Sequence, residues 1–194
     1  CDMTSEVSLN RWDADAIICK YANEIDPSVL DRIRYGGFLS DEIINSFDNK
    51  KFGISEIESN GMDLSQKLLL TVVDDAIKDS NIEIKQLKDS KVGVYVGGSG
   101  FLHQSSNDNM SKNNNISVYS ATGNTLSVAA GRISYYYGFQ GPCMSIDTAC
   151  SSSLVAIHQA VKSLQNNETN KSVVAGVNLI LTPYISTAYA KAGM

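Results

Sequence analysis

The chain has 194 residues, of which 43% are hydrophobic and 19% charged, an ordinary composition for one soluble globular domain with its own core. Its net charge of -5 argues against a general nucleic-acid-binding protein, which usually carries a basic face. No apolar run approaches the roughly 20 residues that span a bilayer, and no signal peptide opens the sequence. We therefore expect a cytoplasmic protein without a membrane span.

The first half of the chain predicts one clear helix and one clear strand. Residues 1–61 are mixed and weakly periodic, which indicates irregular structure with short helical turns. An apolar stripe predicts a helix over residues 64–80, and Asp63 is placed to cap its start. The β-branched and aromatic residues 91–96 predict a strand, and a glycine turn is expected at residues 97–100.

The second half alternates helices with strands. The polar residues 105–115 predict a surface loop, and residues 125–137 a second helix. A strand at residues 143–148, a helix at 150–165 and a strand at 172–181 follow. The strands are almost continuously apolar, as in strands buried on both faces. This order predicts an α/β fold with a mainly parallel sheet flanked by helices.

The four cysteines are Cys1, Cys19, Cys143 and Cys150, without a Cys-x-x-Cys pair or zinc spacing. We therefore expect reduced thiols and no metal site. Cys143 lies in an apolar strand, where a buried and inert cysteine is the usual finding.

Cys150 differs because it lies where a strand is followed by small residues and a helix. The free N–H groups of a helix start favour a thiolate over a thiol and can stabilise an oxyanion on a thioester. The small side chains of Ser151, Ser152 and Ser153 would allow close approach of backbone and substrate. From the residues alone, Cys150 is either such a nucleophile or a structural cysteine. The following helix carries one apolar stripe, formed by Leu154, Ile157, Val161 and Leu164.

The segment Asp-Thr-Ala-Cys-Ser-Ser-Ser at residues 147–153 resembles the active-site signature of the β-ketoacyl synthase family, which has the thiolase fold. The ketosynthase domains of type I polyketide synthases are the most similar, followed by fatty acid synthases. Further landmarks in family order cover almost the whole chain: residues 11–13, 36–39, 52–55, 62–63, 121–124, 132–135, 176–178 and 190–194.

This resemblance implies a decarboxylative Claisen condensation. Cys150 would take an acyl chain from the phosphopantetheine arm of an acyl carrier protein. A malonyl-type extender would then lose carbon dioxide and attack the Cys150 thioester. The family needs no metal or redox cofactor for this step, and it implies a homodimer in the intact protein.

The resemblance is incomplete because the family's two catalytic histidines belong to motifs of its second half that are absent here. His158 would lie about 12 Å from Cys150 along one helix, too far for a general base, and His103 is expected to be solvated. We therefore expect residues 1–194 to form an incomplete N-terminal half, without the first strand and the whole second half. Such a chain should not catalyse condensation alone.

Three alternatives remain open. A thiolase-like or chalcone-synthase-like enzyme would use free coenzyme A thioesters. A half-domain could also serve as a non-catalytic packing or dimerisation module of a larger synthase. A nucleotide site at residues 97–100 is disfavoured because the third glycine of the motif is replaced by His103.

Overall fold

The computed structural model describes residues 3–99 and 118–193. These residues form two compact units, one made of the chain up to Asp41 with the chain from Leu179 onward, and one made of Glu42–Asn178. The strands are β1 (Ser5–Glu6), β2 (Tyr35–Gly36), β3 (Val92–Gly98), β4 (Cys143–Ile146) and β5 (Lys171–Val177). The helices are α1 (Ala14–Tyr21), α2 (Pro27–Leu30), a 3-10 turn (Asp31–Arg34), α3 (Asp41–Ile44), α4 (Glu56–Asn60), α5 (Leu64–Asp79), α6 (Ile84–Leu87), α7 (Ser120–Gly123), α8 (Leu126–Tyr137), α9 (Ser152–Gln165) and α10 (Tyr184–Lys191).

The first unit consists of short elements. Three consecutive side chains in it make different kinds of contact. The Arg11 guanidinium lies 5.0 Å from the centre of the Phe38 ring and donates to the carbonyl of Ile180 at 3.0 Å. Trp12 is buried, and the Asp13 carboxylate caps α1 by accepting from the Ala16 N–H at 3.0 Å. The prediction of short helical turns is confirmed here, although α1 extends over two turns.

The second unit contains a three-stranded parallel sheet in the order β4-β3-β5. Val92, Val94 and Val96 of the central strand pack with buried residues of α5 and α8 on one face. Tyr95 packs on the opposite face against Ala156 and Ala160 of α9. The predicted parallel sheet flanked by helices is therefore confirmed.

The predicted helices over 64–80 and 125–137 are confirmed as α5 and α8, and Asp63 caps α5 by accepting from the Ser65 N–H at 2.7 Å. The expectation that the strands are buried on both faces holds only for β3, which is buried throughout. It is wrong for β4 and β5, because they are the outer strands of the described sheet and keep exposed positions. None of the helices in the described parts of the chain has the length and apolar character needed to cross a membrane.

Asp74 of α5 is a buried acid held by three donors. Lys51 forms an ion pair with its carboxylate, Lys78 lies at 2.6 Å, and the Tyr137 hydroxyl donates at 3.0 Å. Burial alone would raise the pKa of Asp74, but the hydrogen bonds from Lys51, Lys78 and Tyr137 outweigh it and hold the pKa below its ordinary value of 3.8. Burial of the Tyr137 hydroxyl, together with the charge and the hydrogen bond of Asp74, raises the pKa of Tyr137.

The D74N variant is expected to lower the free energy of unfolding by about 2–4 kcal/mol at pH 7, because two lysines and a tyrosine lose a charged acceptor. The folded-state pKa lies below the unfolded one, so this stabilisation is complete above the unfolded pKa and is lost as pH falls through the folded value. Urea denaturation should therefore show a difference between the variant and the parent protein that shrinks below about pH 4. D75N, at the exposed neighbouring position, is the matched control and should change the free energy of unfolding by less than about 0.5 kcal/mol. Equal losses in both variants would contradict the role of Asp74.

Candidate active site

Cys150 lies at the junction between strand β4 and helix α9. The strand ends at Ile146, the first helical residue is Ser152, and Ser151 is the N-cap. Cys150 is exposed and carries a free thiol. The helix therefore begins two residues later than predicted, so that Cys150 lies in the turn just before it. This position leaves the thiol accessible in front of the helix N-terminus, where backbone N–H groups lack intrahelical acceptors.

Short polar side chains brace the turn that presents Cys150. The Asp147 carboxylate accepts from the Ala149 N–H at 3.0 Å. The Ser151 hydroxyl donates to the Thr148 carbonyl at 2.8 Å. The Ser152 hydroxyl accepts from the Thr148 N–H at 2.8 Å and donates to the Ala149 carbonyl at 2.6 Å. Both neighbours of Cys150 are thus held by hydrogen bonds within the turn.

Ala149 adopts a left-handed backbone conformation with φ = +55°. For a residue with a Cβ atom this conformation costs about 1–2 kcal/mol. Strained residues of this kind persist only where the surroundings fix them, and they cluster at functional sites. The strained residue lies directly before Cys150 and belongs to the same turn.

Two glycines of the sheet let the start of α9 approach closely. Gly97 of β3 and Gly176 of β5 are register partners. A Cβ atom at Gly97 would lie 2.6 Å from the carbonyl carbon of Ser152, and one at Gly176 would lie 2.3 Å from the Ser153 Oγ. The helix start that follows Cys150 therefore rests against the backbone of β3, and a larger residue at Gly97 would displace it, whereas at Gly176 the near atom belongs to the rotatable Ser153 side chain.

Gly97 and Gly98 belong to β3, so the glycine turn predicted at residues 97–100 is wrong for these two positions. Within the strand they allow close packing against the backbone of Ser152 and Val177. Glycine inside a strand is itself a signal of close backbone approach. The same signal at Gly176 could have identified the second contact, which the sequence analysis missed.

Helix α9 packs on the sheet through small residues and turns its larger apolar side chains outward. The buried positions are Ser152, Ala156, Ala160 and Ser163. The predicted apolar stripe is exposed, most of all at Leu154, whose exposed fraction is 72%. Close packing against a glycine-bearing sheet explains the choice of small residues. The stripe itself, formed by Leu154, Ile157, Val161 and Leu164, has no cover among residues 3–99 and 118–193.

The other candidate side chains lie elsewhere. His158 is exposed on α9, which confirms it as a helix-surface residue, and His103 lies outside the described residues. Cys143 is exposed, so the prediction of a buried cysteine is wrong, because it lies on the outer strand β4. Desolvation of its thiol nevertheless raises the pKa of Cys143 against the opposing hydrogen bond from Ser134, which disfavours a thiolate there.

Comparison with known proteins gives one consistent result. Residues 2–194 match the family described as Beta-ketoacyl synthase, N-terminal domain. A phenolphthiocerol/phthiocerol polyketide synthase of Mycobacterium tuberculosis is 38% identical over 192 residues, covering 98% of this chain and 10% of the relative. Polyketide synthase 37 of Dictyostelium discoideum is 35% identical over 193 residues, covering 100% of this chain and 6% of the relative.

Solved structures agree with the sequence relatives. An oxazolomycin ketosynthase domain of Streptomyces albus superposes with a TM-score of 0.81 at 28% identity, covering 100% of this chain and 33% of that one. A ketosynthase from module 6 of the bacillaene synthase of Bacillus subtilis gives a TM-score of 0.77 at 32% identity, covering 98% of this chain and 30% of that one. The chain therefore spans about a tenth or less of these polyketide synthases and about a third of the solved ketosynthase chains.

Proposed function

The chain belongs to the family of β-ketoacyl synthase N-terminal domains, and from this premise we propose that Cys150 is the acyl-accepting nucleophile of a polyketide-type synthase. The observation that carries the proposal is the exposed Cys150 thiol in a strained, braced turn directly before helix α9. No other cysteine in residues 3–99 and 118–193 lies at such a junction. Cys19 is in α1 and Cys143 is in β4.

The first step of the proposed reaction is an exchange of thioesters. The Cys150 sulfur attacks the carbonyl carbon of an acyl group held by the phosphopantetheine arm of an acyl carrier protein. The Cys150 thiol gives up its proton, a new C–S bond forms to its sulfur, and the old C–S bond breaks to release the phosphopantetheine thiolate, which takes up a proton. One thioester replaces another, so the exchange is nearly balanced in free energy. We assign the oxyanion that forms between these two bonds to backbone N–H groups beside Cys150 other than those of Ser151 and Ser152, which already donate within the turn.

The second step is the condensation itself. A malonyl-type extender on the carrier loses carbon dioxide, and the electron pair left on its α-carbon attacks the acyl carbon on Cys150. A C–C bond forms, the bond to the Cys150 sulfur breaks, and the chain leaves as a β-ketoacyl carrier thioester. This chain supplies the acyl-holding cysteine and needs no bound cofactor of its own for that task. The phosphopantetheine belongs to the carrier protein.

We propose further that residues outside this sequence complete the site. Proton transfer in the condensation requires a base or acid within about 3 Å of the reacting atoms. The exposed His158 lies six residues beyond the first residue of α9, about 9 Å along the helix axis. The exposed stripe of α9 supports this proposal, because contiguous apolar surface of this kind usually packs against another part of the same assembly. In the intact protein we expect a second half-domain to supply two histidines, and we expect a cytoplasmic homodimer.

The proposal predicts preferential acylation by a carrier-bound substrate. Intact synthase is incubated with an acyl group attached either to its carrier protein or to coenzyme A, and the protein mass is followed with time. We expect acylation from the carrier to be faster by about tenfold or more, because contacts with the carrier contribute binding energy beyond the reacting thioester. Equal rates from coenzyme A would instead indicate a thiolase-like enzyme, and no acylation from either substrate would indicate a non-catalytic module.

A further inference from the structure

Ser152 is a buried polar residue whose hydroxyl both accepts and donates a hydrogen bond. Its exposed fraction is 3%, so its Oγ is withdrawn from solvent and from any substrate. The Oγ accepts from the Thr148 N–H at 2.8 Å and donates to the Ala149 carbonyl at 2.6 Å. One hydroxyl therefore links the first helical residue of α9 to two consecutive residues of the turn before Cys150.

The two hydrogen bonds of the Ser152 hydroxyl lie on either side of Ala149, the residue with the strained backbone. The Thr148 N–H and the Ala149 carbonyl flank the backbone torsions that place Ala149 in its left-handed conformation. Without such bonds an alanine favours the right-handed region by about 1–2 kcal/mol. The direction of the next peptide, and with it the place of the Cys150 side chain, depends on which conformation Ala149 adopts.

The residue that makes these bonds is itself fixed by the sheet. The space above Gly97 is filled by the backbone of Ser152, whose carbonyl carbon and oxygen would lie 2.6 and 2.7 Å from a Cβ atom there. The Ser152 N–H also donates to the Ala149 carbonyl at 3.1 Å. The contact with β3 therefore fixes the backbone of Ser152, and the hydrogen bonds of Ser152 fix the turn before Cys150.

We propose that Ser152 is a positioning residue for the acylation of Cys150, acting by holding Ala149 in its left-handed conformation. This inference rests on the proposed function of Cys150, but its structural part can be tested without any acyl transfer. Ser152 does not touch the thioester in this account. Its loss acts only through the backbone of Ala149.

The test compares S152A, A149G, the double variant A149G/S152A and the control S163A in the intact synthase. S152A is expected to lower the maximal acylation rate by about 10- to 100-fold with little change in the half-saturating carrier concentration, because misplacement of a nucleophile acts on the rate. Glycine adopts the left-handed region without a Cβ penalty. A149G/S152A should therefore recover to within about threefold of A149G alone. S163A removes another buried hydroxyl of α9, eleven residues further along the helix, and should retain the rate to within about threefold.

Crystal structures of the same variants provide the readout that is independent of activity. The φ angle of Ala149 should become negative in S152A, and residue 149 should return to a positive φ in A149G/S152A. A φ near +55° in S152A, or a slow double variant whose residue 149 is nevertheless left-handed, would overturn the positioning role. If the parent protein accepts no acyl group while the φ angles change as expected, the proposed function fails and the structural role of Ser152 stands.

Discussion

The C150A variant of the intact synthase is expected to form no acyl-enzyme, with a loss of at least about a thousandfold in acylation rate. The reason is chemical, because alanine offers no atom that can carry the acyl chain. The junction should survive the change, since the Cys150 side chain is exposed and the bonds that brace the turn come from Asp147, Ser151 and Ser152. Intact-protein mass spectrometry after incubation with an acyl carrier protein measures the effect directly.

C143A and C19A are the matched controls, because both remove a free, exposed thiol from the same chain. Each should retain acylation to within about threefold of the parent protein. Acylation that persists in C150A and disappears in C143A would assign the nucleophile to β4 and refute the account.

The G97A variant is expected to have a free energy of unfolding lower by at least about 1–3 kcal/mol. It should also accept an acyl group about 100-fold more slowly. Its new Cβ would lie 2.6 to 2.7 Å from backbone atoms of Ser152 and Ser153. Backbone cannot rotate away as a flexible side chain can, so the start of α9 must move away from the sheet. Because Cys150 immediately precedes that helix, it must move as well. Urea denaturation and the acylation rate give the two effects separately.

G131A is the control for adding a methyl group to this unit. A Cβ atom at Gly131 in α8 has no heavy atom within 4 Å apart from the helix's own neighbouring backbone. We expect it to be neutral or to stabilise the helix by up to about 1 kcal/mol, because alanine has the higher helix propensity. A G97A protein that folds and acylates like G131A would show that close contact at Gly97 does not position Cys150.

The elements with a strong local pattern could be predicted from the sequence. Helix α5 has a regular apolar stripe and a capping aspartate, and both were found where expected. The setting of Cys150 between an apolar strand and a helix left it as either a nucleophile or a structural cysteine, and the resemblance of residues 147–153 to the β-ketoacyl synthase signature decided between the two. The position of Cys150 one residue before the N-cap required the structure, because helix boundaries depend on hydrogen bonds that the pattern does not specify.

The features that hold Cys150 could not be predicted because they depend on contacts between distant parts of the chain. The contact of Gly97 with Ser152 and that of Gly176 with Ser153 require the register of β3 and β5 and the approach of α9. The left-handed conformation of Ala149 has no signal in an alanine residue.

The predicted burial of Cys143 was wrong for a related reason. Cys143 lies in an apolar strand, and only the sheet order shows that this strand is an outer one. The apolar stripe of α9 likewise has the periodicity of a core face, yet the sheet selects the small residues of the opposite face. An amphipathic pattern in the sequence identifies which residues share one face of a helix. The neighbouring elements of the fold decide which of its faces is buried.

The most direct test locates the acyl group on the acylated intact synthase. Trypsin cleavage after Arg132 and Lys162 releases one peptide, residues 133–162, that contains both Cys143 and Cys150. Fragmentation of this peptide in the mass spectrometer separates the two cysteines. The account predicts the added acyl mass on fragments that contain Cys150 and not on those that contain Cys143 alone. An acyl group on Cys143, or none anywhere in residues 133–162, would contradict it.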